Sequence, residues 1–105
     1  MSHFVVLSSH REGRLVGKVD AFAVEGLELW FWFDDHIPPH FHVKKAGDWE
    51  IKVHVLETTA HDLSFEVKWG KGPSGKLQSG LAKEVAKHRD ALYTEWLQKT
   101  RSGAE

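Results

Sequence analysis

Residues 27–33 constrain the fold more than any other part of the sequence, because this stretch is apolar on both faces of a β-strand. Side chains alternate between the two faces of a strand. Here Leu or Phe occupies every second position, while Trp30 and Trp32 lie on the opposite face. Such a strand is typical of the centre of a sheet or of a sheet covered twice. The sequence therefore predicts that this strand anchors the fold.

The segment that follows the strand, residues 34–39, ends in two prolines. Pro38 and Pro39 lack backbone N–H donors and have fixed φ angles, so neither a helix nor a strand ladder continues through them. We expect a rigid extended turn here. A cis peptide bond is not predicted, because most X–Pro bonds are trans.

Residues 41–45 and 49–56 are typical of a hairpin, with Gly47 supplying the positive φ angle that its loop requires. The apolar residues of both arms must share the core face, which fixes the register. A three-residue loop that pairs Lys45 with Trp49 satisfies this condition. It sets Val43 opposite Ile51, Phe41 opposite Val53, and His40 opposite His54. The other face then gathers four polar side chains: His40, His42, Lys52 and His54.

The C-terminal half alternates first and then becomes helical. A strand at residues 63–69 is expected to point four side chains inward: Leu63, Phe65, Val67 and Trp69. The glycine-rich segment 70–75 lacks the spacing of a phosphate-binding loop and predicts a connection. A helical stripe follows: Leu77, Leu81, Val85, His88, Leu92 and Trp96. It predicts a helix over residues 75–100, with a break near Ser79 as the alternative because Gly80 disfavours helix.

These elements predict a single α+β domain over residues 1–105. Its architecture is an antiparallel sheet of about five strands with a long C-terminal helix packed on one face. Residues 1–26 are expected to form a peripheral hairpin, 27–69 the core sheet and 102–105 a frayed tail.

Composition excludes several classes of protein. The chain has no cysteine, which removes disulfide frameworks and thiolate chemistry and suits a reducing cytoplasm. It has no apolar run near the roughly 20 residues of a membrane span and does not open as a signal peptide, so we expect a soluble cytoplasmic protein. The net charge of −1 argues against general polyanion binding. However, residues 68–105 contain 8 basic and 4 acidic side chains, so any phosphate-binding surface belongs to that part.

Three imidazoles and two carboxylates lie within residues 34–42. His40 and His42 point the same way on a strand, with side-chain origins about 6–7 Å apart, so both can reach one ion. Together with His36 they are the candidate metal ligands, for a divalent transition metal with zinc as the first choice. Asp35 is a candidate catalytic residue that would orient an imidazole or act as a base. His54 is a further candidate for the cluster.

Simpler interpretations stay open beside these. Histidines on the polar face of a strand are common without a ligand, and His88, within the helical stripe, is either a core residue or an acid, base or ligand. Two functions of different classes follow. One is metal-assisted or His-mediated hydrolysis of a phosphodiester. The other is a non-enzymatic module that binds RNA or a partner protein. The oligomeric state is open.

Two motifs carry a family resemblance. The stretch Asp35-His36-Ile37-Pro38-Pro39-His40-Phe41-His42-Val43, with His88-Arg89-Asp90-Ala91-Leu92 and Trp96, resembles the small bacterial family called domain of unknown function 4160. The resemblance covers roughly residues 27–97. It implies that five residues are marked in the family: His36, His40, His42, His88 and Trp96. It also implies a partner protein encoded nearby, in a two-gene arrangement similar to toxin–antitoxin modules, and no settled activity.

Overall fold

The chain folds as a six-stranded antiparallel sheet followed by helices, in a computed structural model that describes residues 4–6 and 15–104. The order of the strands in the sheet is their order in the sequence, so every connection joins neighbours. The strands are β1 (Phe4–Val6), β2 (Leu15–Lys18), β3 (Glu28–Trp32), β4 (His40–Lys45), β5 (Trp49–His54) and β6 (Phe65–Gly70). The predicted α+β class and antiparallel sheet are confirmed, with six strands where about five are expected.

The strand β3 lies inside the sheet, between β2 and β4, and its last four residues are buried. Leu29 and Phe31 face the main core. Trp30 and Trp32 face the other side, where they cluster with Val16. The prediction of a strand buried on both faces is confirmed.

The β4–β5 hairpin has the predicted register at every pair, from His40 opposite His54 to Lys45 opposite Trp49. Gly47 in its loop has a φ angle of 78°. The turn before this hairpin contains a cis peptide bond between Ile37 and Pro38, where the sequence favours trans.

The helical region differs from the predicted single helix. It consists of α1 (Gly75–Lys87), α2 (Arg89–Lys99) and a short α3 (Arg101–Ala104). The break lies at His88, not near Ser79, and His88 has the non-helical angles φ −110° and ψ 20°. The side chain of Arg89 donates to the carbonyls of Val55 and Thr58, and these bonds draw the chain toward the end of β5.

Helices and sheet share one core. The helical residues of that core are Leu81, Ala82, Val85, Leu92 and Trp96. The sheet residues packed with them include Leu29, Phe31, Phe41, Val43, Ile51 and Val53. Because side chains alternate along each strand, the opposite face bears Trp30 and Trp32 on β3 and mainly polar residues on β4 to β6.

The side chains at the end of β6 differ from the predicted inward orientation. Val67 and Trp69, expected inside, are 47% and 43% exposed. The β5–β6 register shifts between Glu50 and Ile51, so Val67 pairs with Ile51 but Trp69 pairs with Glu50. Such an irregularity inserts one extra residue and turns the next side chain to the other face. Trp69 therefore lies beside Glu50 and not in the core.

The two ends of the chain are described in part. The predicted N-terminal hairpin is present as β1 paired with β2, and residues 7–14 between them lie outside the described residues. The tail, expected to fray from Ser102, contains α3, in which the Ser102 hydroxyl donates to the Asp35 carbonyl at 2.8 Å. Among the described residues, no helix has the length and apolarity needed to cross a bilayer.

Candidate functional site

Three buried polar residues converge where the turn after β3 meets the start of β4. Asp35, His40 and His42 are 8%, 6% and 5% exposed. One potential metal-binding atom from each lies within 4.8 Å of the other two. Buried polar groups normally have hydrogen-bond or ionic partners. These three residues provide partners for one another, so the fold itself holds the cluster together.

The turn itself holds the carboxylate in place. The backbone N–H of Asp35 donates to the Trp32 carbonyl at 3.1 Å. The backbone N–H of Trp32 donates to Asp35 Oδ2 at 2.9 Å. These two bonds close the chain on itself directly after β3, so the Asp35 side chain is aimed at the neighbouring strand β4.

Both histidines of β4 present Nε2 to this carboxylate. His40 Nε2 lies 3.3 Å from Asp35 Oδ1. His42 Nε2 lies 3.2 Å from each Asp35 oxygen. The two rings are neighbours, with centroids 5.2 Å apart, as the two-residue spacing on one strand face predicts.

Different contacts fix the two imidazole rings. His40 Nδ1 donates to the Pro38 carbonyl at 2.9 Å, so the proline turn sets the orientation of this ring. His42 stacks on Trp30 with centroids 5.5 Å apart and meets the edge of Trp32 at 6.3 Å. His42 Nδ1 is buried without a hydrogen-bond partner. Ring stacking therefore holds His42, whereas a hydrogen bond holds His40.

The electrostatics of the cluster favour an ionised carboxylate. Burial by itself raises the pKa of Asp35, but hydrogen bonds from His40 and His42 and the charge of both rings outweigh burial. Together they hold the pKa of Asp35 well below its ordinary range. Asp35 is therefore an anion throughout the neutral pH range, as a metal ligand or an imidazolium partner must be.

A polar cavity of about 560 Å³ opens above the cluster. Beside Asp35, His40 and His42, its lining includes Trp32, Asp34, His36, Ile37, Pro38, Glu50, Lys52 and Lys68. The cluster is thus buried at the floor of a cleft large enough for a small molecule or a short segment of a polymer.

The structure distributes the remaining predicted histidines differently. His36 lines the cavity but is exposed and lies outside the cluster. Asp35 occupies the position beside His40 and His42 that was expected for His36. His54 bonds Glu66 Oε2 at 2.7 Å, with its ring 6.4 Å from that of His40.

His88 lies away from the cavity. Its ring stacks on Phe22 of the main core at 5.7 Å, and its Nε2 lies 3.4 Å from Glu84 Oε1. The cavity lies on the face of Trp32 and His42, so the sheet separates His88 from the Asp35 cluster.

Two further groups line the cavity, Glu50 and Lys68, and neither is among the candidate site residues predicted from the sequence. Glu50 could have been found, because it precedes Lys52 by two residues and therefore shares its face. Lys68 could have been found in the same way, because alternation with Val67 places it on the outward face of β6.

The comparisons with known proteins agree with the motifs that build the cavity floor. The family model described as Domain of unknown function (DUF4160) matches residues 26–97, more than half of the chain. No curated protein and no solved structure matches the chain. The matched range contains β3, the proline turn, the β4 histidines, all of α1 and most of α2. On that evidence the chain belongs to the DUF4160 family, whose function is unknown.

Proposed function

We propose that this protein is a metal-dependent hydrolase of phosphodiesters, with Asp35, His40 and His42 as the ligands of a divalent metal, zinc first. One observation carries the proposal: two imidazole nitrogens lie at nearly the same distance from one buried carboxylate, and one ligand atom of each group lies within 4.8 Å of the others. Ligands held at about 2.0–2.1 Å in a tetrahedral zinc site are about 3.3 Å apart. The Asp35 oxygens lie 3.3 Å from His40 Nε2 and 3.2 Å from His42 Nε2.

A second His–carboxylate pair in the same sheet supports this interpretation by contrast. His54 Nε2 and Glu66 Oε2 are 2.7 Å apart, the length of a charge-assisted hydrogen bond. The two Asp35 contacts are about half an ångström longer, although they are more deeply buried. Contacts of this length around one shared carboxylate also match the separation between ligands that converge on an ion.

The surroundings of the His40 ring also fit metal ligation. A metal-binding histidine typically donates its second N–H to a carbonyl or carboxylate, as His40 does to Pro38. Three protein ligands leave a coordination position open, which is characteristic of catalytic zinc sites. A metal bound there supplies an activated water and stabilises negative charge on a phosphoryl oxygen.

The cavity offers groups that suit an anionic substrate. Lys68 lines it, is exposed and can neutralise phosphate charge, whereas Lys52 in the same lining is paired with Glu66. His36, exposed in the lining, is the candidate for proton transfer at the water-facing end. In this proposal Asp35 is a ligand and not a general base.

Metal content and activity test the proposal together. Protein purified without a histidine tag should contain or take up about one zinc per chain by elemental mass spectrometry, and should hydrolyse bis(p-nitrophenyl) phosphate. His40→Gln and Asp35→Asn should each lose both properties. His61→Ala is the matched control, because His61 is exposed and lies outside the cavity lining. Circular dichroism shows whether each variant is folded.

A folded protein that binds no zinc on titration contradicts the proposal. If such a protein still binds RNA or a partner protein after His40 and His42 are replaced, the non-enzymatic module is supported. Loss of that binding between about 50 and 200 mM salt would indicate contacts to phosphates.

A further inference from the structure

An exposed tryptophan lies beside the cavity on the edge strand β6. Trp69 is 43% exposed. Its Nε1 donates to Glu50 Oε1 at 3.3 Å, and Glu50 is a buried residue of the cavity lining. A large aromatic ring that is exposed and yet tethered by its polar atom has a free face in a fixed orientation.

Two exposed lysines flank Trp69 in the sequence, while the carboxylate of Glu50 accepts its Nε1. Lys68 lines the cavity and is exposed, and among the residues that the structure describes no carboxylate forms an ion pair with it. Lys71, just beyond the strand, is exposed as well. By contrast, Lys52 shares the Glu66 carboxylate at 3.6 Å. The charge next to Trp69 is therefore available to an anionic ligand.

The sheet register gives the separation between Trp69 and the cluster. His42 on β4 pairs with Lys52 on β5, and Trp69 on β6 pairs with Glu50 on β5. Trp69 therefore lies two strands across the sheet from His42 and two residues along it. Strands lie about 4.8 Å apart and two residues span about 7 Å, which places Trp69 about 12 Å from His42 along the sheet. A few nucleotides of single strand span that distance, since each advances about 3.4 Å even in the double helix.

We propose that Trp69 and Lys68 form a subsite for single-stranded nucleic acid, in which a base stacks on the Trp69 indole and a phosphate contacts Lys68. The inference rests on the proposed function, whose substrate it names. Base stacking on an aromatic ring beside a basic groove is the general mode of single-strand recognition without sequence preference.

Strand addition by a peptide is the competing use of an exposed edge strand. The β6 edge is poorly suited to it. The register irregularity interrupts its regular pairing direction, and Lys68 places a charge in the middle of the edge, two devices that oppose edge-to-edge pairing.

Fluorescence anisotropy of labelled eight-residue oligouridine and oligothymidine tests the subsite, with EDTA present so that binding is measured apart from hydrolysis. Trp69→Ala should weaken binding about 5- to 150-fold, the effect of losing one stacked base, and Trp69→Phe should retain most of it. Lys68→Ala should lower the slope of log affinity against log salt by about 0.7. The RNA and DNA arms show whether the sugar is discriminated.

Two variants on the helical side serve as controls. Tyr93→Ala removes a similarly exposed aromatic ring from α2, and Lys83→Ala removes an exposed charge from α1. Neither should change the affinity.

Binding that is equal in wild type and folded Trp69→Ala overturns the subsite, as does a duplex bound as tightly as a single strand. If zinc binding and bis(p-nitrophenyl) phosphate hydrolysis persist in that case, the proposed function stands and only its nucleic-acid substrate is lost. If oligonucleotides bind through Trp69 but zinc does not bind, the hydrolase fails and a nucleic-acid-binding surface is left.

Discussion

A single carboxylate performs two tasks at the floor of the cavity. Asp35 Oδ2 accepts the backbone N–H of Trp32 and also faces the His42 ring, while Oδ1 faces His40. The first contact closes the turn and the others assemble the cluster. Because one side chain does both, the conformation of the turn and the position of the candidate ligands cannot vary independently.

Substitutions at Asp35 should separate these two tasks. Asp35→Ala leaves the buried Trp32 N–H without an acceptor, which costs about 1–3 kcal/mol of unfolding free energy. Asp35→Asn keeps an oxygen for that bond, so it should lose less stability while losing zinc binding. Urea denaturation measures the stability, with the exposed Asp48→Asn as the matched control, expected to be neutral. Equal stability of Asp35→Ala and wild type would show that the turn does not depend on this bond.

The His54–Glu66 pair provides a pH prediction at the same scale. The hydrogen bond from His54, with the charge of Lys52 adding to it, lowers the pKa of Glu66 below its ordinary value. Because the pKa of Glu66 is lower in the folded state, its ionised carboxylate stabilises the fold at pH values above the unfolded-state pKa near about 4.3. This stabilisation is lost as the pH falls through the folded-state pKa. In a carbon-detected NMR titration, His54→Ala should therefore shift the pKa of Glu66 upward. An unchanged Glu66 titration would mean that the 2.7 Å contact is absent in solution.

At the scale of the element, the sequence predicts strands whose two faces meet different surroundings. The β4–β5 register followed from apolar alternation, since a slip of one residue would expose Phe41 and Val43. The same argument failed on β6, because the shifted pairing at an edge strand, and not its own alternation, decides where Trp69 points. Apolar spacing likewise continues through His88, so it does not reveal the helix break there, next to the contact of Arg89 with the Val55 carbonyl.

A buried lysine of α2 joins this helix to β2, and no local sequence pattern predicts this contact. Lys99 Nζ bonds the Lys18 carbonyl at 2.6 Å, Asp20 at 2.7 Å and Glu95 at 3.0 Å. Its aliphatic stem packs on Gly17, where an added Cβ would lie 2.9 Å from Lys99 Cβ. Glycine at this position therefore permits the close approach that the ion pairs require.

Two glycine-to-alanine changes should consequently have opposite effects. Gly17→Ala forces the buried Lys99 stem to move and should destabilise the protein by about 1–3 kcal/mol. Gly80→Ala, in the interior of α1 with nothing near its Cβ position, should stabilise it by up to about 1 kcal/mol. Thermal and urea unfolding of both variants measure the signs. A neutral Gly17→Ala would indicate that the lysine network adapts without loss.

Over the whole molecule, the sheet divides two kinds of surroundings. The main core contains apolar residues of one strand face together with helix residues, and the other face bears Trp30, Trp32, the β4 histidines and the cavity. Sequence spacing predicted which strand residues share a face, and hence that His40 and His42 meet. It could not predict that Asp35 would join them while His36 stays exposed, because the path of the proline turn decides this.

We expect a metal bound at the cluster to raise the stability of the whole fold. The cluster joins the turn after β3 to β4 inside the sheet, and it does not exist in the unfolded chain, so a bound metal adds its binding free energy to that of folding. At 100 times the dissociation constant, this amounts to about 2.7 kcal/mol. For a domain of this size that corresponds to a rise in Tm of about 10–20 °C. Calorimetry should show this rise on adding zinc to the wild type, its reversal by EDTA, and no rise in His42→Ala. Replacing His88 should leave it intact, because His88 lies across the sheet from the cluster. A rise of the same size in His42→Ala would place the metal elsewhere on the chain.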